Sequence, residues 1–377
     1  MSAPLLVFGE DWGGHPSSSQ HLVRRLMRER DVVWVNSLGL RRPRFTSTDF
    51  MRLVRKSSAA LLPGPSYLEP EGSRSDLANV VSPLCFPVPR RGFERGVNRI
   101  VMGSKLRKAL RQTAIGRPIL WTSLPTAVDF LGCADERAVI YYCGDDFASL
   151  AGVDHDAVTK AEARLVARAD LILVASEALK WKFPTNKTVH LPHGVDLELF
   201  SAPCSAPDDL PLGQPVAGFY GSLSDWLDVE LVDAVAEMLP DWKFVFIGKI
   251  QTDITLLKTR PNVTFLGPRA HHDLPAYAQN WTVSLLPFRR NAQIESCNPL
   301  KLREYLAAGT PVVSTDFPAL DGYRDLIDVE DRPDQFAQAI KNTVNDTASR
   351  VRLRRNRVMK ESWEDRAHFV ASLLDRF

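Results

Sequence analysis

Asn298-Pro299-Leu300-Lys301-Leu302-Arg303-Glu304-Tyr305-Leu306-Ala307-Ala308-Gly309, running on into Thr310-Pro311-Val312-Val313-Ser314, is the stretch on which the fold turns. Asn298 is a favoured N-cap, Pro299 suits a first helical position that needs no amide, and Gly309 closes the far end in a left-handed conformation. A short, sharply bounded helix is predicted, followed by an apolar strand. The open amides and the positive end of the helix dipole fall at Pro299, Leu300 and Lys301, with a lysine where the dipole favours a carboxylate. Such a turn invites an anion. Glu304 lies about one turn beyond Lys301, so both side chains leave the same face. A phosphate on the lysine would bring an attached ribose to the glutamate; a capped helix with an ordinary Lys/Glu pair is the plainer alternative.

On either side of this stretch, short runs rich in Val, Ile and Leu alternate with helical patterns, the mark of parallel sheets with crossover helices. Strands are expected at 4–9, 32–36, 119–123, 138–143, 171–175 and 189–192, then at 216–221, 243–248, 263–267, 282–287 and 311–314. Two doubly wound domains follow, as the 377-residue length also favours. The seam is expected in the Pro-rich polar stretch 201–209, giving domains at 1–200 and 201–360 and a terminal helix at 361–377.

In open parallel sheets ligands sit beyond the carboxyl ends of the strands, so the residues just past each strand carry the chemistry. After the first come Glu10 to Ser19, where Gly13 and Gly14 let backbone approach a ligand and a serine run starts a helix. No Gly-x-Gly-x-x-Gly occurs there, and Asn36-Ser37 stand where a dinucleotide site would place its acid. Asp145 and Asp146 follow Tyr142-Cys143-Gly144. Adjacent carboxylates repel, which raises one pKa toward that of a general base, and capping of the next segment is the competing account. Gly221 and Ser222 follow the first strand of the second series, Lys249 follows Gly248, and Arg269 follows Gly267-Pro268. Asp154-His155-Asp156 reads as a helix start and not as a metal site.

The segment 298–315, with His193-Gly194-Val195-Asp196, resembles the GT-B glycosyltransferases, especially retaining family 4 and related exopolysaccharide enzymes. The resemblance implies a donor site in which Glu304 holds the nucleotide ribose and the turn at Asn298, Pro299, Leu300 and Lys301 faces the diphosphate. It gives Gly13 and Gly14 a role at the donor phosphate and acceptor, and makes Ser362-Trp363-Glu364 the start of a helix returning to the first domain. The chain departs from the family where Ser222 replaces the usual arginine and where Ser296, not a glutamate, stands eight positions before Glu304. Diphosphate charge must then fall to Lys249, Arg269, Lys301 and to amides at Gly14, Gly221, Ser222 and Leu300.

Charge is unevenly spread. Through residue 130 there are 20 Lys and Arg against 10 Asp and Glu, a net of +10, while the remainder carries −8, leaving +2 overall. Basic and apolar residues interleave across 41–111, a composition suited to an anionic membrane surface; no nucleic-acid motif accompanies it. Five widely spaced cysteines fit a reducing cytosol without a structural metal, and no apolar run is long enough to span a bilayer. The expectation is therefore an α/β GT-B protein, two Rossmann-like domains facing across a cleft with the C-terminal helix crossing back. It would be a cytoplasmic, peripheral, metal-independent hexosyltransferase without a cofactor, using a UDP or GDP sugar as donor and a saccharide or lipid-linked acceptor in bacterial polysaccharide assembly. The rivals are an epimerase or hydrolase of the same fold, and a non-catalytic nucleotide-sugar scaffold.

Overall fold

The computed structural model describes residues 2–14, 16–38, 79–83, 85–86, 88–89, 91–150, 152–211 and 213–377; the basic stretch 41–56 lies outside them. The chain divides into two compact units, Met1–Pro192 with Ala367–Phe377, and His193–Arg366.

Unit one holds strands β1 (Leu5–Phe8), β2 (Val32–Val35), β3 (Val80–Val81), β4 (Ile119–Thr122), β5 (Ala138–Cys143), β6 (Leu171–Val174) and β7 (Thr188–His190). They form one parallel sheet in the order β3-β2-β1-β4-β5-β6-β7. Helices α1 (Ser18–Leu26), α2 (Gly92–Gln112), α3 (His155–Arg168) and α4 (Glu177–Lys180) connect them. Strands β1, β2, β4, β5 and β6 are buried along their whole length, which is why they read as unbroken apolar runs without alternation.

Unit two repeats the plan with β8 (Val216–Tyr220), β9 (Lys243–Ile247), β10 (Val263–Gly267), β11 (Val283–Leu286), β12 (Val312–Ser314) and β13 (Asp328–Val329). Their order is β10-β9-β8-β11-β12-β13, again parallel. Its helices are α5 (Leu197–Ser201), α6 (Val229–Met238), α7 (Thr255–Lys258), α8 (Leu274–Asn280), α9 (Ala292–Glu295), α10 (Leu300–Ala308), α11 (Pro333–Asn342) and α12 (Ala348–Val358). A last helix, α13 (Trp363–Leu374), begins in unit two, and its residues from Ala367 belong to unit one. Strand order reverses between β1 and β4 and between β8 and β11, the switch points where such sheets take ligands. Among the described residues no helix is long and apolar enough to cross a membrane, and none of the five cysteines is in a disulfide.

Each strand expected from the sequence is present to within one or two residues. Strands β3 and β13 were not foreseen, because two residues at a sheet edge leave no apolar run to detect. The units divide ahead of the Pro-rich stretch, between Pro192 and His193. The reason is local. Val195 pairs in parallel with Ser362, its N–H donates to the Glu361 carbonyl at 2.9 Å, and its carbonyl accepts from Trp363 N–H at 3.1 Å. Gly194 lies so close beneath the Trp363 ring that a Cβ there would come within 2.8 Å of it. At the other end, buried Arg30 donates to the Ala371 carbonyl at 3.4 Å and pairs with Asp375, fastening the last residues of the chain to unit one.

Packing within unit two is tight enough to test. Gly218, in the middle of β8, faces Trp281, and a Cβ on it would overlap the indole. Gly218→Ala is expected to cost about 1–3 kcal/mol through overpacking. Urea denaturation of the variant should show an earlier midpoint; an unchanged one would contradict this packing.

Candidate functional site

Helix α10 starts at Leu300 with Pro299, at φ −71 and ψ 124, as its N-cap, and no side chain caps its first amides. Asn298 is not the cap that the sequence pattern indicated. It is buried, and its Oδ1 accepts from Arg303 Nη1 at 2.7 Å instead of capping the helix. The far end is as expected: Gly309 is left-handed at φ 88, and its N–H donates to the carbonyls of Tyr305 and Leu306 at 3.1 Å. The helix is buried from Leu302 to Ala308, including the charged Arg303 and Glu304.

Lys301 is brought to the carboxyl end of β8. A Cβ placed on Gly221 would lie 2.5 Å from Lys301 Cε and 3.0 Å from Nζ, so only glycine leaves room for the lysine stem there. Gly248, past the end of β9, presses on Gly221 in turn, for a Cβ on it would overlap the Gly221 carbonyl. Both glycines have positive φ, 136 for Gly221 and 145 for Gly248, a region closed to other residues without strain. The ammonium of Lys301 lies 5.3 Å from the Trp226 ring centroid and 5.7 Å from that of Phe219, within cation–π range.

Glu304 is held on both oxygens. Tyr220, the last residue of β8, donates its hydroxyl to Oε2 at 2.7 Å, and His271 Nε2 lies 3.0 Å from Oε1. The Tyr220 N–H donates to the Tyr305 hydroxyl at 3.2 Å, tying strand to helix a second time. Burial pushes the Glu304 carboxyl upward, but the hydrogen bond and charge of His271, the Tyr220 hydroxyl and the charge of Lys301 outweigh it and hold the group below its ordinary value. An ionised carboxylate and an ammonium thus leave one helix beside a pair of glycines. That arrangement can take a phosphate on the lysine and hydroxyl donors on the glutamate.

The remaining donor-side residues divide. Ser222 and Lys249 are exposed past β8 and β9, and the Lys249 carbonyl accepts from Leu223 N–H at 2.8 Å. The amide of Gly221 is used within the sheet, donating to the Ile247 carbonyl at 2.8 Å, and no helix starts at 221 or 222, since α6 begins only at Val229. Arg269 is engaged within the fold. Its Nη2 pairs with Asp209 at 2.6 Å, its Nε donates to the Tyr277 hydroxyl at 3.1 Å, and its Nη1 to the Leu266 carbonyl at 2.6 Å. Its guanidinium therefore fastens the segment after β10, a structural task that the sequence reading did not assign to it.

In unit one, Gly13 has φ 80, and Gly14 N–H donates to the Asp11 carbonyl at 3.2 Å, so the Gly14 amide closes a turn and is not left open for phosphate. The helix after that turn does start as the serine run indicated, with Ser17 capping the Gln20 amide at 3.3 Å. Asp145 is exposed. Asp146 accepts from Lys182 Nζ at 2.6 Å, from the Ala148 amide and from the Ser149 hydroxyl, each at 3.2 Å. Burial pushes its carboxyl up, yet Lys182 and these two donors prevail and hold it below its ordinary value. The rise expected from the neighbouring acid is therefore absent at Asp146. Lys182 also reaches buried Glu162 at 2.8 Å, which accepts from the Tyr141 hydroxyl at 2.6 Å.

His271, Tyr220 and Lys182 carry weight that the sequence reading did not give them. Tyr220 and His271 both lie near strand ends, at the end of β8 and a few residues past β10, so the rule used for the glycines would have reached them. Lys182, remote in sequence from its partners, gave no such signal.

The two parallel Rossmann-like sheets, taken with the similarities that follow, place the chain among the GT-B glycosyltransferases. The profile of the family described as glycosyl transferases group 1 matches residues 214–346, and the chain belongs to that family. It is 30% identical over 274 residues to TuaH of Bacillus subtilis, named as a teichuronic acid biosynthesis glycosyltransferase, covering 66% of this chain and 69% of that protein. Among solved structures it is similar to Anabaena HepE in complex with UDP and glucose, with a TM-score of 0.67, 15% identity and 100% of both chains covered. Sucrose-phosphate synthase from Thermosynechococcus elongatus superposes with a TM-score of 0.71 at 16% identity, covering 99% of this chain and 98% of the other.

Because the folded value of Glu304 lies below the ordinary carboxyl value of 4.5, its ionised form adds stability above that pH, and the contribution disappears as pH falls through the folded value. The stability difference between the parent and Glu304→Gln should therefore shrink on acidification below 4.5. Chemical denaturation across pH measures it, and a difference that stays constant would refute the assignment.

Proposed function

We propose that this glycosyltransferase moves a hexose from a nucleotide diphosphate sugar, with UDP or GDP as the nucleotide, to a saccharide or lipid-linked acceptor in the assembly of an exported bacterial polysaccharide. One observation carries the donor half: Lys301 and the ionised Glu304 leave the same buried helix beside the close-packed glycines 221 and 248. Lys301 would bind the diphosphate, with exposed Lys249 and the start of the helix at Leu300 beside it, and Glu304 would take the ribose hydroxyls. Charge builds on the diphosphate as the sugar departs, and fixed donors at such a point each contribute several kcal/mol. We assign that neutralisation to lysines and helix amides without a metal ion. The similarity to TuaH and to a UDP-bound HepE supports the polysaccharide setting and the uridine nucleotide.

The acceptor is assigned to unit one, with Asp145 at the acceptor hydroxyl. Asp146 is the poorer base, since Lys182 keeps it ionised and occupied.

A place at the inner face of the plasma membrane is supported by α2. Phe93, Val97, Ile100 and Val101 fall on one side of that helix and are exposed, Phe93 by 61% and Ile100 by 73%, while Met102, Leu106 and Leu110 on the other side are buried. The exposed side continues as Ser104, Arg107, Lys108 and Arg111. Apolar residues that enter the acyl boundary and cations that meet anionic headgroups are the two terms of interfacial binding.

Thermal-shift titration with UDP, GDP, dTDP, CMP and their sugars should give a raised melting temperature with UDP or GDP, and Lys301→Ala should remove that ligand-induced rise. A full shift retained in Lys301→Ala would overturn the donor site. Sedimentation with vesicles containing anionic lipid should carry the protein down, and the double change Phe93→Ser with Ile100→Ser should leave most of it in the supernatant. Undiminished sedimentation of that variant would end the proposal for α2.

A further inference from the structure

The side chain of Lys301 is guided along its whole length. Its stem passes Gly221 so closely that a Cβ there would lie 2.5 Å from Cε. Beyond the glycine, Nζ sits over two rings, 5.3 Å from the centroid of Trp226 and 5.7 Å from that of Phe219. Phe219 belongs to β8 and is fully buried, whereas Trp226 comes from the loop between β8 and α6 and is half-buried. The loop ring is itself held. It meets Phe288 edge-on at 5.0 Å and Phe219 at 6.0 Å, and the Trp226 carbonyl accepts from Arg289 N–H at 2.8 Å.

An aromatic face attracts an ammonium through its quadrupole, and tryptophan offers the strongest such face. Unlike a carboxylate, a ring carries no net charge, so it orients the cation without neutralising it. The lysine side chain is long and rich in rotamers, and having to order it when a ligand arrives weakens binding by about two- to tenfold. We propose that Trp226 is a positioning residue: with Phe219 it holds the Lys301 ammonium in place beside Gly221, so that a nucleotide diphosphate meets a cation already ordered, whose charge the rings leave intact. This deepens the donor assignment above and rests on it. Phe219 lies in the core of the sheet and serves the fold first. Trp226, in a loop, is the member of the pair whose substitution tests the contact.

The test is calorimetric titration of the full chain with UDP and GDP. Whichever nucleotide the parent prefers, Trp226→Leu should bind it about two- to tenfold more weakly. Trp226→Phe, which keeps a ring face, should recover most of that loss. A readout that packing alone would not move is the coupling between the two side chains. Urea denaturation of the parent, Trp226→Leu, Lys301→Met and the double variant supplies it: Trp226→Leu should lower the midpoint by less when the ammonium is already gone. Unchanged affinity in Trp226→Leu overturns the proposal, as do a Trp226→Phe that binds as weakly as Trp226→Leu and midpoint losses that are equal in the two backgrounds. The donor assignment beneath it fails separately, and takes the proposal with it, if Lys301→Met binds the nucleotide as tightly as the parent or if neither nucleotide binds the parent at all.

Discussion

A carboxylate taken out of water costs several kcal/mol unless donors replace the lost hydration. Glu304 meets that demand with a hydroxyl, an imidazole and a nearby ammonium, and most of the second unit is arranged to deliver them. Strand β8 has to end at Tyr220 so that its hydroxyl reaches the helix, and the same residue is then bound through its amide by Tyr305. With helix and strand end locked together, Lys301 passes over the next residue, which can only be glycine. Gly248 follows from Gly221, because a neighbouring strand end meets the Gly221 carbonyl with no room for a side chain. The site is thus one connected set of requirements that begins with a buried charge.

Arg303, next to Glu304 in sequence, applies the same logic on another side of the helix. It is 4% exposed, donates to Glu361 at 2.7 Å and to Asn298, and stacks its guanidinium 5.5 Å from the Tyr323 ring centroid. Glu361 also accepts from the Tyr323 hydroxyl at 2.6 Å. A helix that reads as half polar is therefore buried nearly all round, its charges consumed by partners on both sides. Asn298, a good cap by composition, does not cap; its oxygen goes to this buried guanidinium, which needs an acceptor.

The architecture was legible because periodicity is local information. Runs such as Leu5–Phe8 and Ile119–Thr122 announce buried parallel strands wherever they occur, and Gly309 announces a helix end by itself. That Lys301 and Glu304 share one bounded helix, about a turn apart, was legible for a similar reason. What escaped was pairing at long range. Arg269 was assigned to phosphate from its place after a strand, and nothing in its neighbourhood reveals Asp209, sixty positions away, to which it is tied. Asp146 was judged by its neighbour Asp145, whereas Lys182 decides its charge. His271 stood near a strand end like the glycines, but an imidazole gains meaning only once the glutamate opposite is known.

The parallel pairing of Val195 with Ser362, under the cover of Trp363, sets the entry and exit of the second unit side by side. Residues 193–366 are topologically a closed insert, stitched at their own base by backbone hydrogen bonds. A segment with adjacent ends is one that evolution can graft, exchange or permute without rebuilding its interior. Whatever residues 193–366 bind can therefore be inherited as a cassette, independently of the flanking chain.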